Sequence, residues 1–288
     1  MKPKVCVIRT DGTNCDRETK RAFDLVGGNS EIVHINSLRE KYDSVTQREV
    51  SLDDYHILAI PGGFSKGDYI RAGKSFAQDL RKYLGEEVQQ FIDDGKLVIG
   101  ICNGFQVLVQ AGFLPGNSEE QTVTLTYNDS QRFEDRWVRL KSYNDTCIWT
   151  KGVNDIEMPV AHGEGKFVAD ESTIKDLFEQ GQVVYQYADQ EGNPTMKFPD
   201  NPNGSYSSIA GICDKTGRIL GLMPHPERYN HPRNHPLASL QEILGRDYID
   251  LSHPCVADRL KRSGDLPHEG LGLQIFRNGI DYVVENLL

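Results

Sequence analysis

Residues Gly100 to Gly104 (GICNG) place a cysteine between two glycines, where an apolar strand pattern gives way to a helical one. The G-x-nucleophile-x-G spacing is typical of a nucleophile elbow, a tight turn that tolerates only small neighbours. The N-terminus of the following helix brings unpaired N–H groups and a positive dipole end to the sulfur, which favours the reactive thiolate. Cys102 is therefore a candidate nucleophile, and the Asn103 N–H a candidate oxyanion donor. The five residues alone are equally consistent with a buried structural cysteine.

A second glycine pair follows the apolar run from His56 to Ile60, in the segment Pro61 to Ser65 (PGGFS). The carboxyl ends of parallel strands are where α/β proteins build ligand sites, and glycines leave the backbone free to direct N–H groups at a ligand. We expect the Gly63 N–H, with the Phe64 N–H nearby, to form the other half of an oxyanion hole. The same residues taken alone are also typical of an ordinary glycine turn.

The segment Met223 to Arg228 (MPHPER) holds a histidine between two prolines, which restrict its backbone. Glu227 lies two residues beyond His225, so in an extended segment both side chains point to the same side. The carboxylate can then accept the second imidazole N–H and fix the tautomer. A proline-rich surface turn is the alternative for this segment alone, but the elbow, the glycine loop and His-x-Glu together predict a Cys-His-Glu nucleophilic site.

Alternating strand and helix patterns in the first 110 residues supply the frame for these groups. Strands are predicted at 5–9, 31–35, 56–60 and 97–101, and helices at 13–26, 78–94 and 103–111. This alternation predicts an α/β fold with a mostly parallel sheet flanked by helices.

The middle of the chain differs, because its patterns are β-rich and separated by polar turns. Strands are predicted at 122–127, 137–141, 183–187, 208–213 and 219–222, with one helix at 172–180 and a last helix at 272–287. These strands indicate a mixed or antiparallel extension of the sheet. We interpret 1–288 as a single domain, interrupted by an insertion at about 229–268 that is rich in proline.

The bulk composition restricts the function classes. With 42 acidic and 32 basic residues the net charge is -10, which disfavours nucleic-acid binding because that needs basic surface. No apolar run approaches the roughly 20 residues that span a membrane, and the N-terminus is too short in its apolar part for a signal peptide. Six scattered cysteines without a CxxC pair indicate reduced thiols and a cytoplasmic location.

The ordered motifs resemble class I (triad-type) glutamine amidotransferases, and more closely the glutaminase subunits of phosphoribosylformylglycinamidine synthase, an enzyme of de novo purine synthesis. The resemblance runs through most of the chain and implies a flavodoxin-like fold. The motifs that carry it are Asn14-Cys15-Asp16, PGGFS at 61–65 with Gly67-Asp68-Tyr69, GICNGFQ at 100–106, NDSQRF at 128–133, PVAHGEG at 159–165, NPNGS at 201–205 and MPHPER at 223–228.

The resemblance implies a role for each matching residue. Cys102 attacks the glutamine carboxamide, His225 transfers the proton, and Glu227 orients His225. The N–H groups of Gly63 and Asn103 hold the oxyanion, and water then cleaves the glutamyl thioester. The remaining residues are implied to lie near the substrate or to line the glutamine pocket or the face toward the synthetase: Gln106, Asn128, Ser130, Phe133 and His162. A polar strand turn explains Asn128 and Ser130 almost as well.

The chain departs from the family pattern in two places. The first loop reads Asp11-Gly12-Thr13-Asn14, where the family more often has a proline before the glycine, and we expect no effect on chemistry. The larger departure is the extra stretch of about 40 residues after Arg228. It contains His231 and His235, but Pro232 and Pro236 forbid a regular helix there, so we predict a solvated loop and no metal site.

The resemblance also implies a partner. We expect ammonia to pass to a synthetase subunit that converts formylglycinamide ribonucleotide to formylglycinamidine ribonucleotide, with a small third subunit as a further candidate. No cofactor is expected in this chain, because it has no GxxxxGK[ST] loop; ATP and Mg²⁺ are expected on the synthetase. Two alternatives stay open: another cysteine hydrolase or amidotransferase on the same scaffold, and a non-catalytic regulatory subunit.

Overall fold

The computed structural model describes residues 1–116, 121–238 and 269–288. Its strands, in chain order, are β1 (Lys4–Arg9), β2 (Asn29–His34), β3 (Tyr42–Asp43), β4 (Arg48–Glu49), β5 (Ile57–Ile60), β6 (Leu97–Ile101), β7 (Val123–Thr126), β8 (Glu134–Lys141), β9 (Asp155–His162), β10 (Lys166–Ala169), β11 (Val183–Ala188), β12 (Ile209–Cys213) and β13 (Ile219–Leu222). Its helices are α1 (Asp16–Leu25), α2 (Ile35–Glu40), α3 (Lys74–Asp93), α4 (Asn103–Gln110), α5 (Glu171–Glu179) and α6 (Leu273–Asn286).

One nine-stranded sheet organises the molecule, in the order β2-β1-β5-β6-β13-β12-β11-β8-β9. The first five strands of this order are parallel. Strands β5, β6 and β13 are buried at every position, as expected for parallel strands covered on both faces. Phe23 of α1 meets Phe276 of α6 edge to face, with ring centroids 4.8 Å apart. The predicted α/β class, with a parallel sheet flanked by helices, is confirmed.

The other strands of this sheet form its antiparallel half, because β12, β11, β8 and β9 continue it in antiparallel pairs. The β-rich extension is therefore confirmed, with one correction. Strand β7, predicted at 122–127, does not join this sheet but pairs with β10 in a separate two-stranded sheet. Strands β9 and β10 were not predicted. Pro159 interrupts the β9 pattern, yet β9 lies at the edge of the sheet, where proline is tolerated.

The connection after the last sheet strand begins on the antiparallel half. Tyr229 and His235 both contact the Trp137 ring edge to face, at 5.0 and 4.8 Å between centroids, and His235 Nε2 lies 2.7 Å from Glu157 Oε2. His231 Nδ1 accepts a backbone N–H from within its own turn. Most of the predicted insertion at 229–268 lies outside the described residues, so the insertion and the single domain stay predictions. Across the described ranges, the helices are too short or too polar to cross a bilayer.

Candidate active site

Cys102 occupies the sharp turn between β6 and α4. Its backbone has φ 51° and ψ -107°, a left-handed conformation that is uncommon for a residue with a side chain. The elbow requires both flanking glycines: a Cβ at Gly100 would lie 2.5 Å from the Gly104 carbonyl oxygen, and one at Gly104 would lie 1.9 Å from the Ile60 carbonyl oxygen. The sequence pattern therefore marks a strained turn packed directly against β5.

Two backbone N–H groups near the elbow, those of Gly63 and Asn103, make no backbone hydrogen bond within the described residues. Gly63 has φ +140°, and a Cβ there would lie 2.5 Å from the Asn14 nitrogen, so only glycine fits. In the described residues the Gly63 N–H makes no backbone hydrogen bond, and the Asn103 N–H is left over at the start of α4. The Phe64 N–H differs from our expectation, because it donates to the Gly12 carbonyl at 2.9 Å and is not available to an oxyanion.

His225 and Glu227 form a buried pair beside the elbow. His225 Nδ1 lies 2.6 Å from Glu227 Oε1, and both side chains are almost completely shielded from solvent. Burial alone would lower the pKa of His225, but the Glu227 charge and the Cys102 sulfur outweigh it and raise that pKa well above its ordinary value. Glu227 and Cys102 thus both favour the protonated form of the imidazole.

The Cys102 side chain also contacts the edge of the antiparallel half. Its Sγ lies 3.6 Å from the Ala161 carbonyl oxygen of β9, within reach of a weak S–H hydrogen bond. His225 donates its backbone N–H to the Pro159 carbonyl of the same strand at 2.8 Å. Strand β9 thus contacts both the nucleophile and the histidine.

A cavity of about 500 Å³ opens onto the Cys102 side chain. Of the five residues assigned to a pocket by sequence, Gln106, Phe133 and His162 line it, whereas Asn128 and Ser130 do not. Phe133 stands at its mouth, half exposed, with its ring 6.1 Å from that of Phe64. This volume suits a small metabolite.

The side chains of Asn103 and Gln106 are occupied by hydrogen bonds to the loops around the cavity. Asn103 Nδ2 donates to Gln106 Oε1 at 2.9 Å and reaches Asp68 Oδ1 at 3.3 Å, while its Oδ1 accepts the Ser65 N–H. Gln106 Nε2 donates to the Glu164 carbonyl at 2.6 Å. These amides hold the glycine loop and the 163–165 loop against α4. Asp68 and Glu164 were not singled out by sequence, although both lie within the matching motifs.

Asn128 supports the cavity wall that His162, Gly163 and Glu164 form, without lining the cavity itself. Its Nδ2 donates to the carbonyls of Arg132 and His162, at 2.9 and 2.8 Å, and its Oδ1 accepts the Gly165 N–H at 3.0 Å. Ser130 Oγ accepts the Arg132 N–H, within the same turn. Both residues therefore shape the wall without lining the cavity.

His162 is buried in this wall as a neutral imidazole. Burial, with a smaller contribution from the His225 charge, lowers its pKa to about 3. Its Nδ1 lies 3.2 Å from Asn128 Oδ1, which already accepts from Gly165, so Nδ1 carries the proton. Its Nε2 then accepts from Asn203 Nδ2 at 3.5 Å. Asn203, from the NPNGS motif, is a residue whose part sequence reasoning did not identify.

Cys15 is the second thiol at the cavity, and sequence reasoning gave it no role. Within the described part of the chain, Cys15, His225 and Glu227 form the one group whose ligand atoms, all within 4.8 Å of one another, could hold a metal ion. Each is already engaged in the protein: His225 with Glu227, and Cys15 Sγ with Arg228 Nη2 at 3.2 Å. The absence of a resident metal stays a prediction.

Comparison with known proteins places the chain in a family. A model of the CobB/CobQ-like glutamine amidotransferase domain matches residues 2–283. The PurQ subunit of phosphoribosylformylglycinamidine synthase from Methanococcus maripaludis is 42% identical over 286 residues, covering 97% of each chain. The corresponding PurQ subunit from Treponema denticola is 46% identical over 245 residues, covering 79% of this chain and 88% of the relative.

Solved structures agree. A chain of the PurLQS structure from Thermotoga maritima is 30% identical, with a TM-score of 0.66, over 98% of this chain and 100% of that chain. A glutamine amidotransferase from the same organism, at 14% identity, has a TM-score of 0.52 over 99% of both chains and shows the shared fold alone. The chain therefore belongs to the PurQ family of phosphoribosylformylglycinamidine synthase subunits, within the CobB/CobQ-like glutamine amidotransferases.

Proposed function

We propose that this chain hydrolyses L-glutamine to glutamate and ammonia with Cys102, His225 and Glu227, and passes the ammonia to a synthetase that makes formylglycinamidine ribonucleotide. The observation that carries the proposal is the Cys102 elbow, whose strained backbone places the sulfur beside the buried His225, which Glu227 holds by a hydrogen bond. Family membership adds the substrate class and the pathway.

The reaction follows from the groups around the elbow. Cys102 gives its thiol proton to His225, its sulfur attacks the carboxamide carbon of glutamine, and the carbonyl oxygen becomes an oxyanion at the N–H groups of Gly63 and Asn103. Collapse of this intermediate breaks the C–N bond, and His225 gives its proton to the departing nitrogen, which leaves as ammonia.

The second half regenerates the enzyme. Neutral His225 takes a proton from water, which attacks the thioester carbon, and a second oxyanion forms at the same N–H groups. Collapse breaks the C–S bond and releases glutamate, and His225 returns its proton to the Cys102 sulfur. Glu227 keeps its hydrogen bond to Nδ1 throughout, which fixes the tautomer and stabilises the imidazolium.

The partner and cofactor proposals rest on the relatives. The PurLQS structure combines a chain similar to this one with L and S components, and we propose the same association here: a synthetase subunit and a small third subunit. ATP and Mg²⁺ would bind the synthetase and no cofactor would bind this chain. A cytoplasmic location fits the scattered cysteines.

Ammonia release from glutamine tests the proposal. Wild type, Cys102→Ala and a buried-thiol control, Cys6→Ala, are assayed alone and with the synthetase, its small subunit, ATP, Mg²⁺ and formylglycinamide ribonucleotide. We expect activity mainly in the complex, a loss of about 10⁴-fold or more in Cys102→Ala, and little change in Cys6→Ala.

Three results would contradict the proposal. Ammonia release that persists in Cys102→Ala would exclude Cys102 as the nucleophile. A wild type that is inactive toward glutamine in the complex, yet cleaves a peptide or another γ-glutamyl compound, indicates a different cysteine hydrolase. Complex activity that survives selective alkylation of Cys102 indicates a regulatory subunit.

A further inference from the structure

Cys15 lies against the same imidazole as the nucleophile. A Cβ added to Gly62 would lie 2.9 Å from His225 Cε1, 3.3 Å from Cys15 Sγ and 3.4 Å from Cys102 Cβ. One small volume beside Gly62 is therefore bordered by the histidine ring and both cysteines. The missing side chain at Gly62 is what allows these three groups to converge.

The chain fixes Cys15 through its backbone. Its N–H donates to the Gly62 carbonyl at 3.1 Å, and its carbonyl accepts the Thr19 hydroxyl at 2.7 Å at the start of α1. These two hydrogen bonds hold the Cys15 backbone against the loop that carries Gly63 and against the first turn of α1. Its side chain is 1% exposed, so it has little freedom to move.

The sulfur is held from a second direction by the turn that follows the catalytic histidine. Arg228 Nη2 donates to Cys15 Sγ at 3.2 Å, and Arg228 Nε donates to Glu18 Oε2 at 3.3 Å. Burial raises the pKa of the Cys15 thiol, against the opposing effects of His225 and Arg228. Burial therefore favours the neutral, polarisable thiol at Cys15 over a thiolate that could act as a second nucleophile.

His225 needs a contact of this kind. Glu227 holds its Nδ1, but among the described residues its buried Nε2 makes no hydrogen bond of regular geometry. The Cys102 sulfur instead lies 3.6 Å from the Ala161 carbonyl oxygen. With Nδ1 hydrogen-bonded, the ring can still rock about its Cβ–Cγ bond. The Cys15 sulfur lies within 4.8 Å of a ring nitrogen of His225, where it limits this motion.

We propose that Cys15 is a positioning residue for glutamine hydrolysis: its sulfur supports the His225 ring so that Nε2 stays directed at Cys102. The inference rests on the proposed function of the Cys102 site. The support matters most while Cys102 is a thioester, because the acylated sulfur is then a poorer partner for the ring. Cys15 forms no covalent bond and transfers no proton.

The pH dependence gives a readout that loss of packing alone would not move. The groups facing His225 are Glu227, Cys102 and Cys15, with His162 and Arg228 nearby. Burial opposes the proton on His225, whereas Glu227, Cys102 and Cys15 favour it, and their net effect raises the pKa of His225. His225 is protonated below this pKa and loses its proton as pH rises through it. Removing the sulfur at position 15 therefore moves that loss to lower pH.

The experiment compares Cys15→Ala with Cys15→Ser in the assembled complex. For Cys15→Ala we expect kcat for glutamine to fall about tenfold, with KM within about twofold, and the alkaline limb of the pH profile to move to lower pH. For Cys15→Ser we expect kcat within about threefold of wild type, because a hydroxyl oxygen also accepts a hydrogen bond. Cys6→Ala removes a buried thiol of β1 that does not line the cavity, and it should leave kcat and the pH profile unchanged.

A second measurement covers the case in which Cys15→Ala folds poorly. The rate at which iodoacetamide alkylates Cys102, followed by mass spectrometry of the Cys102 peptide across pH, should keep its wild-type profile in Cys15→Ser. A shifted profile in that variant would overturn the proposal, as would unchanged kcat and pH limb in a folded Cys15→Ala. Either result leaves the proposed function standing if Cys102→Ala is inactive, so the two failures are distinguishable.

Discussion

The parallel and antiparallel halves of the sheet hold the site in different ways. The parallel half places Cys102 and Gly63 mainly with the backbone: two strand ends, tight turns, and glycines that let segments touch, with the Asn103 amide as an added contact to the glycine loop. The antiparallel half places the cavity wall with buried side-chain amides, chiefly Asn128 and Asn203. Where backbone segments touch at a glycine, there is no room for an added side-chain atom. Where a side-chain amide holds the wall, a substitution removes its hydrogen bonds and leaves the rest of the packing in place. The two halves should therefore fail differently when mutated.

The largest effect is expected from Gly104→Ala in the parallel half. The new Cβ would lie 1.9 Å from the Ile60 carbonyl oxygen, a backbone atom that cannot move without displacing β5. We expect the free energy of unfolding to fall by about 3 kcal/mol, with loss of glutaminase activity, measured by urea denaturation and ammonia release.

Gly85→Ala is the matched control, because Gly85 is also a helical glycine but its nearest neighbour would be a flexible Arg81 carbon at 3.5 Å. That variant should be unchanged or more stable by up to about 1 kcal/mol. Equal stability of the two variants would show that the elbow is not packed as described.

An intermediate effect is expected from Asn128→Ala in the antiparallel half. The substitution leaves the Gly165 N–H and the carbonyls of Arg132 and His162 without their partner. We expect a loss of about 2 kcal/mol in unfolding free energy and a fall of about tenfold in kcat/KM, mainly through KM, because the wall loosens while the elbow stays intact. The exposed Asn36→Ala is the control. A large fall in kcat with KM unchanged would mean that the two halves are not separable in this way.

The smallest effect at neutral pH is expected from His162→Gln, which keeps a polar side chain in the wall. Glutaminase activity should stay within about threefold of wild type, with an unchanged pH profile above pH 5, because His162 has a pKa of about 3 and carries no charge there.

Stability, unlike activity, should depend on His162 between pH 7 and pH 5. The unfolded chain binds a proton at His162 near its ordinary pKa, but the folded protein does not, so His162 lowers the stability of wild type as pH falls from 7 to 5. His162→Gln should remove about 2 kcal/mol of that loss, measured by denaturation at both pH values. An identical acid slope in the two proteins would show that His162 is not held neutral.

The same contrast explains what could be predicted from the sequence. The Cys102 elbow was predicted because its geometry is set within five residues, and the His225 segment because two prolines and Glu227 lie beside it. The parallel strands were predicted because they are buried on both faces and bounded by glycine turns. Local pattern is sufficient where local sterics determine the structure.

The parts that were missed depend on pairing between distant segments. The hydrogen bonds of Asn203 to Gly165 and Tyr187 span 38 and 16 residues, and nothing near Asn203 indicates either partner. Cys15 meets Arg228 across 213 residues. The Phe64 N–H was assigned wrongly because its acceptor, Gly12, belongs to a different loop. Such contacts need the fold before they can be inferred.

The contacts of β9 close the site into a ring. Cys102 donates its N–H to Leu222 of β13 at 2.8 Å, the chain then runs three residues to His225, and His225 donates to Pro159 of β9. Two residues further along β9, the Ala161 carbonyl oxygen contacts the Cys102 sulfur. In mechanical terms this is a closed linkage, which has fewer independent motions than an open chain of the same length. Cys102 and His225 can therefore move together more easily than they can move apart. The distance between them should change less during vibrations of the sheet than it would in an open arrangement.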